Sequence, residues 1–162
     1  MKYEIVVYPD DRLKLISSPV EKIDNDLIDM INEMFRVMYE SDGCGLAGVQ
    51  IGVLQRLFVM EIKGKKYVMI NPEILERSKD YSIAEEGCLS LPGIGAEVKR
   101  SKKVTVKYTD IDGKEKILKA TGLLAICIQH EYDHLDGKVF IDHLPASEKI
   151  NVLRDYRKQH NL

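Results

Sequence analysis

Between Asp24 and Gly43 the apolar residues Leu27, Ile28, Ile31, Met34, Phe35 and Met38 recur three and four positions apart. That is the period of one helix face. Asp24 offers an N-cap, and the helix is expected to end before Gly43. From Arg56 to about Val106 the pattern shortens into β-rich runs. Leu57–Met60 and Tyr67–Ile70 flank Lys63-Gly64-Lys65, which predicts a hairpin. Asn71-Pro72 is expected to stop its second strand. Ile74-Leu75 and Tyr81–Ala84 are further strand candidates, and Met1–Val7 reads as another. Val104–Thr109 alternates faces, turns at Asp112-Gly113 and returns as Lys116–Ala120. A helical pattern then runs from about Thr121 to Asp136, with Gly137 placed for a left-handed cap. The final helix, about 147–159, carries Ile150, Leu153 and Tyr156 on one face and Lys149, Arg154, Arg157 and Lys158 elsewhere. Strands in the middle and helices toward both ends predict an α+β fold. Its expected form is antiparallel sheets packed around a central helix, the one at about 121–136, with helices near each terminus. No repeat or linker divides the chain, so 1–162 is read as a single domain.

Composition narrows the class. A length of 162 residues suits one hydrophobic core. A net charge of −2 lacks the basic excess of a nucleic-acid binder, so DNA is not an expected partner. The apolar runs are too short to cross a bilayer, and none reads as a secretory signal. Three cysteines at wide spacings do not make a disulfide framework, which points to a reducing, cytoplasmic setting.

Four histidines are present, and two lie four residues apart in His130-Glu131-Tyr132-Asp133-His134. On a helix these imidazoles share a face, about 6 Å apart at Cβ, and can converge on one ion. Glu131 lies about 100° round the helix, in reach of a water in the ion's open position. Leu123, Ile126 and Cys127 continue the histidine face, which is therefore expected to be buried in an apolar wall. A lone His-x-x-x-His pair on an exposed helix is commonly accidental; Glu directly after the first histidine, on a buried face, sets this one apart. A catalytic ion needs a third ligand. Phe140 stands where the longer protease signature has a third histidine and cannot serve. Cys127 lies a further turn toward the N-terminus with its side chain tilted away. Cys88, Cys44 and His143 remain, from other segments.

Two glycine-rich segments supply context. Glu86-Gly87-Cys88-Leu89-Ser90 ends a predicted strand, where Gly87 lets backbone approach a ligand closely. Gly43-Cys44-Gly45-Leu46-Ala47-Gly48-Val49-Gln50 joins helix to strand and offers an amide donor in Gln50. Each is weak alone, since a single cysteine is ordinarily a small buried hydrophobe. In order with Gln129-His130-Glu131-x-Asp133-His134-Leu135-x-Gly137, they resemble the three motifs of the peptide deformylase family. Tyr8–Leu13 and Ser18–Val20 are similar to the family's opening, so the resemblance covers most of the chain.

The resemblance implies that Cys88, His130 and His134 bind the metal and that Glu131 is the general acid/base on metal-bound water. Gln50 and the backbone N–H of Leu89 would stabilise the oxyanion at the formyl carbon. Gly45 would pair with the substrate backbone, while Cys44, Leu123, Ile126 and Cys127 would line the methionine pocket, with Gly87 beside them. The implied reaction is hydrolysis of the formyl group from N-formylmethionyl polypeptides, releasing formate. The implied ion is Fe²⁺ in the cell, with Zn²⁺, Ni²⁺ or Co²⁺ as substitutes, although the donor set alone suits Zn²⁺. A monomer is expected, with ribosome contact through the basic C-terminal helix. Gly48 departs from the family's usual alanine and is expected to loosen the segment around Gln50. Two rivals stand beside this reading. A metallopeptidase is disfavoured by Phe140. A zinc-stabilised binding module is disfavoured by Glu131 and by the three-ligand set, because structural zinc sites close with four protein ligands.

Overall fold

The computed structural model describes residues 3–162. Three helices and seven strands follow in the order α1 (Asn25–Glu40), β1 (Gly45–Ala47), β2 (Leu57–Ile62), β3 (Lys65–Arg77), β4 (Tyr81–Cys88), β5 (Leu91–Ser101), β6 (Lys103–Thr109), β7 (Glu115–Thr121), α2 (Gly122–Leu135) and α3 (Ala146–Gln159). One antiparallel sheet has the order β1-β2-β3-β6-β7, and β4-β5 form a separate antiparallel hairpin. The architecture is α+β.

Helix α1 starts where its cap predicts, with the Asp24 carboxylate accepting the Leu27 N–H at 2.9 Å. Its apolar stripe packs on one face of the five-stranded sheet through Leu46, Leu57, Val59 and Ile70. The opposite face, with Phe58, Met60, Met69 and Val106, packs on α2 through Ala125, Cys127, Ile128 and Leu135. This explains the unbroken apolar run of β2: its side chains alternate between two buried faces. A third apolar cluster joins Leu91 and Val98 of β5 to Phe140, Ile141 and Tyr156, and so seats α3 against the hairpin.

Three expectations change, and one strand is added. Of the N-terminal strand, Met1 and Lys2 lie outside the described residues. Tyr3–Val7 is irregular; Val6 N–H donates to Gln50 O (2.7 Å), while the next donor along, Tyr8 N–H, goes to a different segment at Ser90 O (2.8 Å). Asn71-Pro72 does not end β3. The register with β6 shifts between Ile70 and Glu73, forming an irregularity that takes the proline's missing donor out of the ladder. Asn71 turns through φ 50° there, and its amide exchanges hydrogen bonds with the backbone of Val20 (2.8 and 2.9 Å). Ile150 is not on the packed face of α3; it is 60% exposed, and Val152, Leu153 and Tyr156 make the contact instead. Strand β5 was not marked by the hydrophobic pattern at all, because Pro92, Gly93 and Gly95 interrupt it.

Candidate metal centre and substrate cavity

Helix α2 is buried around nearly its whole circumference, including Gln129, His130, Glu131, Asp133 and His134. Polar groups in such a position need partners; neighbouring elements supply them for Gln129, His130 and Asp133, whereas Glu131 Oε1 and His134 Nδ1 have none among the described residues. Gln129 grips β5 by accepting from Ser101 N–H (3.2 Å) and donating to Ser101 O (2.9 Å). The hairpin thereby sits beside the helix, and the end of β4 delivers Cys88 to the two histidines.

Cys88, His130 and His134 each offer one donor atom, and these lie within 4.8 Å of one another. Cys88 Sγ is 3.4 Å from His134 Nε2. Burial by itself would raise the Cys88 thiol, but the adjacent His134 and His130 bring it down to about 5. The site therefore favours the thiolate, which is the metal-binding form. Of the three candidates for the distant ligand, Cys88 joins the histidines. Cys44 faces Cys127 instead, Sγ to Sγ 3.7 Å. His143 points to Asp133, with Nε2 2.7 Å from Oδ2. Phe140 stacks against the His130 ring at 6.2 Å between centroids, supporting a ligand rather than being one.

A buried ionic network holds His130. Its Nδ1–H donates to Glu86 Oε1 at 2.9 Å, which leaves Nε2 as the available lone pair. Glu86 receives both Nε and Nη2 of Arg100 at 2.9 Å, and Arg100 Nη1 reaches Asp133 Oδ2 at 2.6 Å. Burial pushes the Asp133 carboxyl up, yet the hydrogen bond from His143 and the Arg100 charge outweigh it and hold it at about 2. The apolar wall expected around the histidines is thus present only on one side; the other is this charged network. Arg100 and the role of Glu86 escaped the sequence reading. A single arginine in a polar-looking stretch is ordinarily a solvated residue, and only burial distinguishes it.

Glu131 is buried beside the three donors. Burial raises its carboxyl, and the nearby histidines lower it, leaving it at about 7. Its Oε1 has no hydrogen-bond partner among the described residues. An orphaned carboxylate oxygen next to thiolate and imidazole donors fits a site that takes a divalent cation and a polar molecule. Gln50 is fixed from the opposite side. Its Oε1 accepts from Ala47 N–H at 2.9 Å, so Nε2 points to Ser90 Oγ (3.1 Å) and Cys88 Sγ (3.5 Å). Ser90, the last residue of the Glu86–Ser90 motif, orients the amide.

A cavity of about 640 Å³ opens onto these groups. It is lined by every residue expected to bind substrate, namely Cys44, Gly45, Gly87, Leu123, Ile126 and Cys127, together with Gln50, Cys88, Leu89, His130 and Glu131. Leu123 is not part of the buried wall; it is 51% exposed at the rim. Gly45 belongs to β1, the edge strand of the sheet, and one open side of that strand borders the cavity.

Comparison with known proteins agrees with this arrangement. The family model for polypeptide deformylase matches residues 2–150. A peptide deformylase of Wolbachia sp. subsp. Brugia malayi is 49% identical over 156 residues, covering 88% of this chain and 87% of that protein. One from Rhodopseudomonas palustris is 42% identical over 162 residues, covering 96% of this chain and 93% of its own. The crystal structure of peptide deformylase from Ehrlichia chaffeensis superposes with a TM-score of 0.94 at 36% identity, covering 99% of this chain and 98% of that one. The same enzyme in complex with actinonin gives 0.92 at 38% identity, covering 99% of both chains. A thiolate and two imidazoles converging beside a buried glutamate, within a fold and sequence shared this far along the chain, place it in one lineage: it belongs to the peptide deformylase family.

Proposed function

We infer that this chain hydrolyses the formyl group from the N-terminal formylmethionine of nascent polypeptides, releasing formate, and that residues 1–162 act as one catalytic domain. The observation that carries the reading is the convergence of Cys88, His130 and His134 beside Glu131, with Cys88, His130 and Glu131 lining the cavity and His134 behind them. Cys88, His130 and His134 would hold one divalent ion. When bound, it supplies Lewis-acid polarisation and lowers the pKa of a water molecule.

The chain's own groups do the rest. Glu131 accepts the proton of the attacking water and delivers it to the amide nitrogen as the C–N bond breaks. Gln50 Nε2 and the Leu89 N–H donate to the oxyanion that forms at the formyl carbon. Donors aimed at developing charge lower such barriers by about 3–4 kcal/mol each. The open edge of β1 at Gly45 accepts the peptide backbone as an added strand. Cys44, Leu123, Ile126 and Cys127 enclose the methionine side chain, with Gly87 at the cavity's edge.

The thiolate–imidazole set accommodates Fe²⁺, Zn²⁺, Ni²⁺ or Co²⁺, and Fe²⁺ is taken as the cellular ion. Metal analysis of anaerobically purified protein, with activity followed through air exposure, decides between them. No described helix is long and apolar enough to cross a membrane. We propose a cytoplasmic monomer that meets its substrates at the ribosome.

The test is formate release from a formyl-Met peptide, with the acetyl-Met analogue as control. The formyl peptide should be turned over and the acetyl one left intact. Glu131→Gln should keep its metal and lose about 10²–10⁴-fold in rate. Cleavage confined to internal bonds of unformylated peptides would make the protein a metallopeptidase instead.

A further inference from the structure

We propose that Cys44 and Cys127 form a reactive dithiol in the cavity wall, a modification site that a hydroperoxide converts to an intramolecular disulfide. The two residues come from distant segments. Cys44 ends the short connection from α1 to β1, and Cys127 lies on α2, one turn before Glu131. Their sulfurs are 3.7 Å apart, with Cys44 exposed and Cys127 buried. Both line the cavity, so a small oxidant entering it meets the pair.

An S–S bond is about 2.05 Å, so the sulfurs must close by about 1.7 Å. Rotation of the exposed Cys44 side chain about its Cα–Cβ bond can supply that travel, while its backbone stays paired, Glu61 N–H donating to Cys44 O at 2.9 Å, and α2 is held by packing around nearly its whole circumference. This is the arrangement of an accessible thiol poised beside a resolving one. Neither thiol has a part in holding the metal: Cys88 supplies the only cysteine of the ligand group.

The chemistry balances without a cofactor. The Cys44 sulfur attacks hydrogen peroxide, the O–O bond breaks, and Cys44 becomes a sulfenic acid as hydroxide leaves. The Cys127 sulfur then attacks Cys44 and displaces a second hydroxide. The two thiol protons convert both hydroxides to water. Two electrons pass from the thiols to the peroxide, and a dithiol reductant returns them. Joining the two walls removes the space between them, which rests on the deformylase reading only for its consequence: that space takes the substrate's first side chain.

The experiment uses full-length protein loaded with Zn²⁺, which has no redox chemistry of its own. Stoichiometric hydrogen peroxide should lower the intact mass by about 2 Da and give a digest fragment joining the Cys44 and Cys127 peptides, both reversed by dithiothreitol. In Cys127→Ser the mass loss should vanish, and Cys44 should be trapped by dimedone as its sulfenic acid. For the joined form, kcat/KM on a formyl-Met peptide should fall at least tenfold and recover on reduction. A crosslink to Cys88, or a gain of about 32 Da on Cys44 with no crosslink, overturns the dithiol. Unchanged kcat/KM in fully joined protein overturns the closure. The mass readout is independent of turnover, so failure of the deformylase reading leaves the dithiol test intact.

Discussion

Gly45 shows how closely the cavity is built around the glutamate. A Cβ at this position would lie 2.5 Å from Glu131 Oε2 and 3.1 Å from its Cγ. Its backbone is ordinary strand, so alanine there is not a conformational problem; the nearest conflict is with the Glu131 side chain. Gly45→Ala should therefore lower kcat by about 10–100-fold through displacement of the carboxylate, with a thermal midpoint close to the parent's. Equal kcat in the two proteins would mean that Glu131 has room to step aside. His130, His134 and Glu131 were legible from the chain because their spacing carries the chemistry, and Cys88 only through the ordered motifs of the family resemblance. Arg100 was not. Its signal is a burial that nothing in its own neighbourhood, Val98-Lys99-Arg100-Ser101-Lys102, announces.

At the scale of elements, the site depends on how α2, β4 and β5 are locked together. Arg100 on β5 spans Glu86 on β4 and Asp133 on α2, and Glu86 in turn holds His130. Arg100→Met would bury two carboxylates without their cation, at about 3–5 kcal/mol. It would also free the His130 ring, and loss of such support typically costs 10–100-fold in metal affinity, as an order of magnitude. Calorimetry and a competitive chelator titration would register the two effects, and a variant as stable and as tight as the parent would remove the network's role.

Gly48 gives a second element-level prediction, and here the structure reverses an expectation. The segment around Gln50 is not loose: a Cβ at 48 would meet the carbonyl oxygens of Val53 and Gln55 at 2.9 and 3.0 Å. Those are backbone atoms of the turn into β2, which closes tightly over the glycine. Gly48→Ala should destabilise by about 1–3 kcal/mol in a urea melt, as overpacking does. A stabilised variant would show that the turn yields at little cost.

Over the whole molecule, α3 caps the third apolar cluster, and the Tyr156 hydroxyl donates to Tyr8 O at 2.6 Å, joining the two ends of the chain. The outward side of α3 exposes Arg154, Arg157 and Lys158, whereas Lys149 is paired with Asp142 at 2.8 Å. If this surface meets the ribosome, the triple reversal Arg154→Glu, Arg157→Glu, Lys158→Glu should abolish pelleting with ribosomes at low salt and leave turnover of short peptides intact. Pelleting that survives the reversal would exclude the helix as the contact.

What the sequence determined by itself is what short-range order carries. Period with caps at Asp24 and Gly137 marked α1 and α2, period alone marked α3, turn residues marked the β2-β3 and β6-β7 hairpins, and ordered motifs pointed to the candidate ligands and the family. Tertiary structure decided what depends on partners far along the chain. It ran β3 through Asn71-Pro72, because an irregularity in pairing with β6 removed the need for the proline's N–H. It made a strand of the glycine-broken Leu91–Ser101 because β4 was there to pair with it. It chose Cys88 over Cys44 and His143 as the third donor, buried Arg100, and set Cys44 against Cys127. The physical reason is common to all of these. Burial and pairing are properties of two surfaces in contact, and a local stretch of sequence describes only one of them.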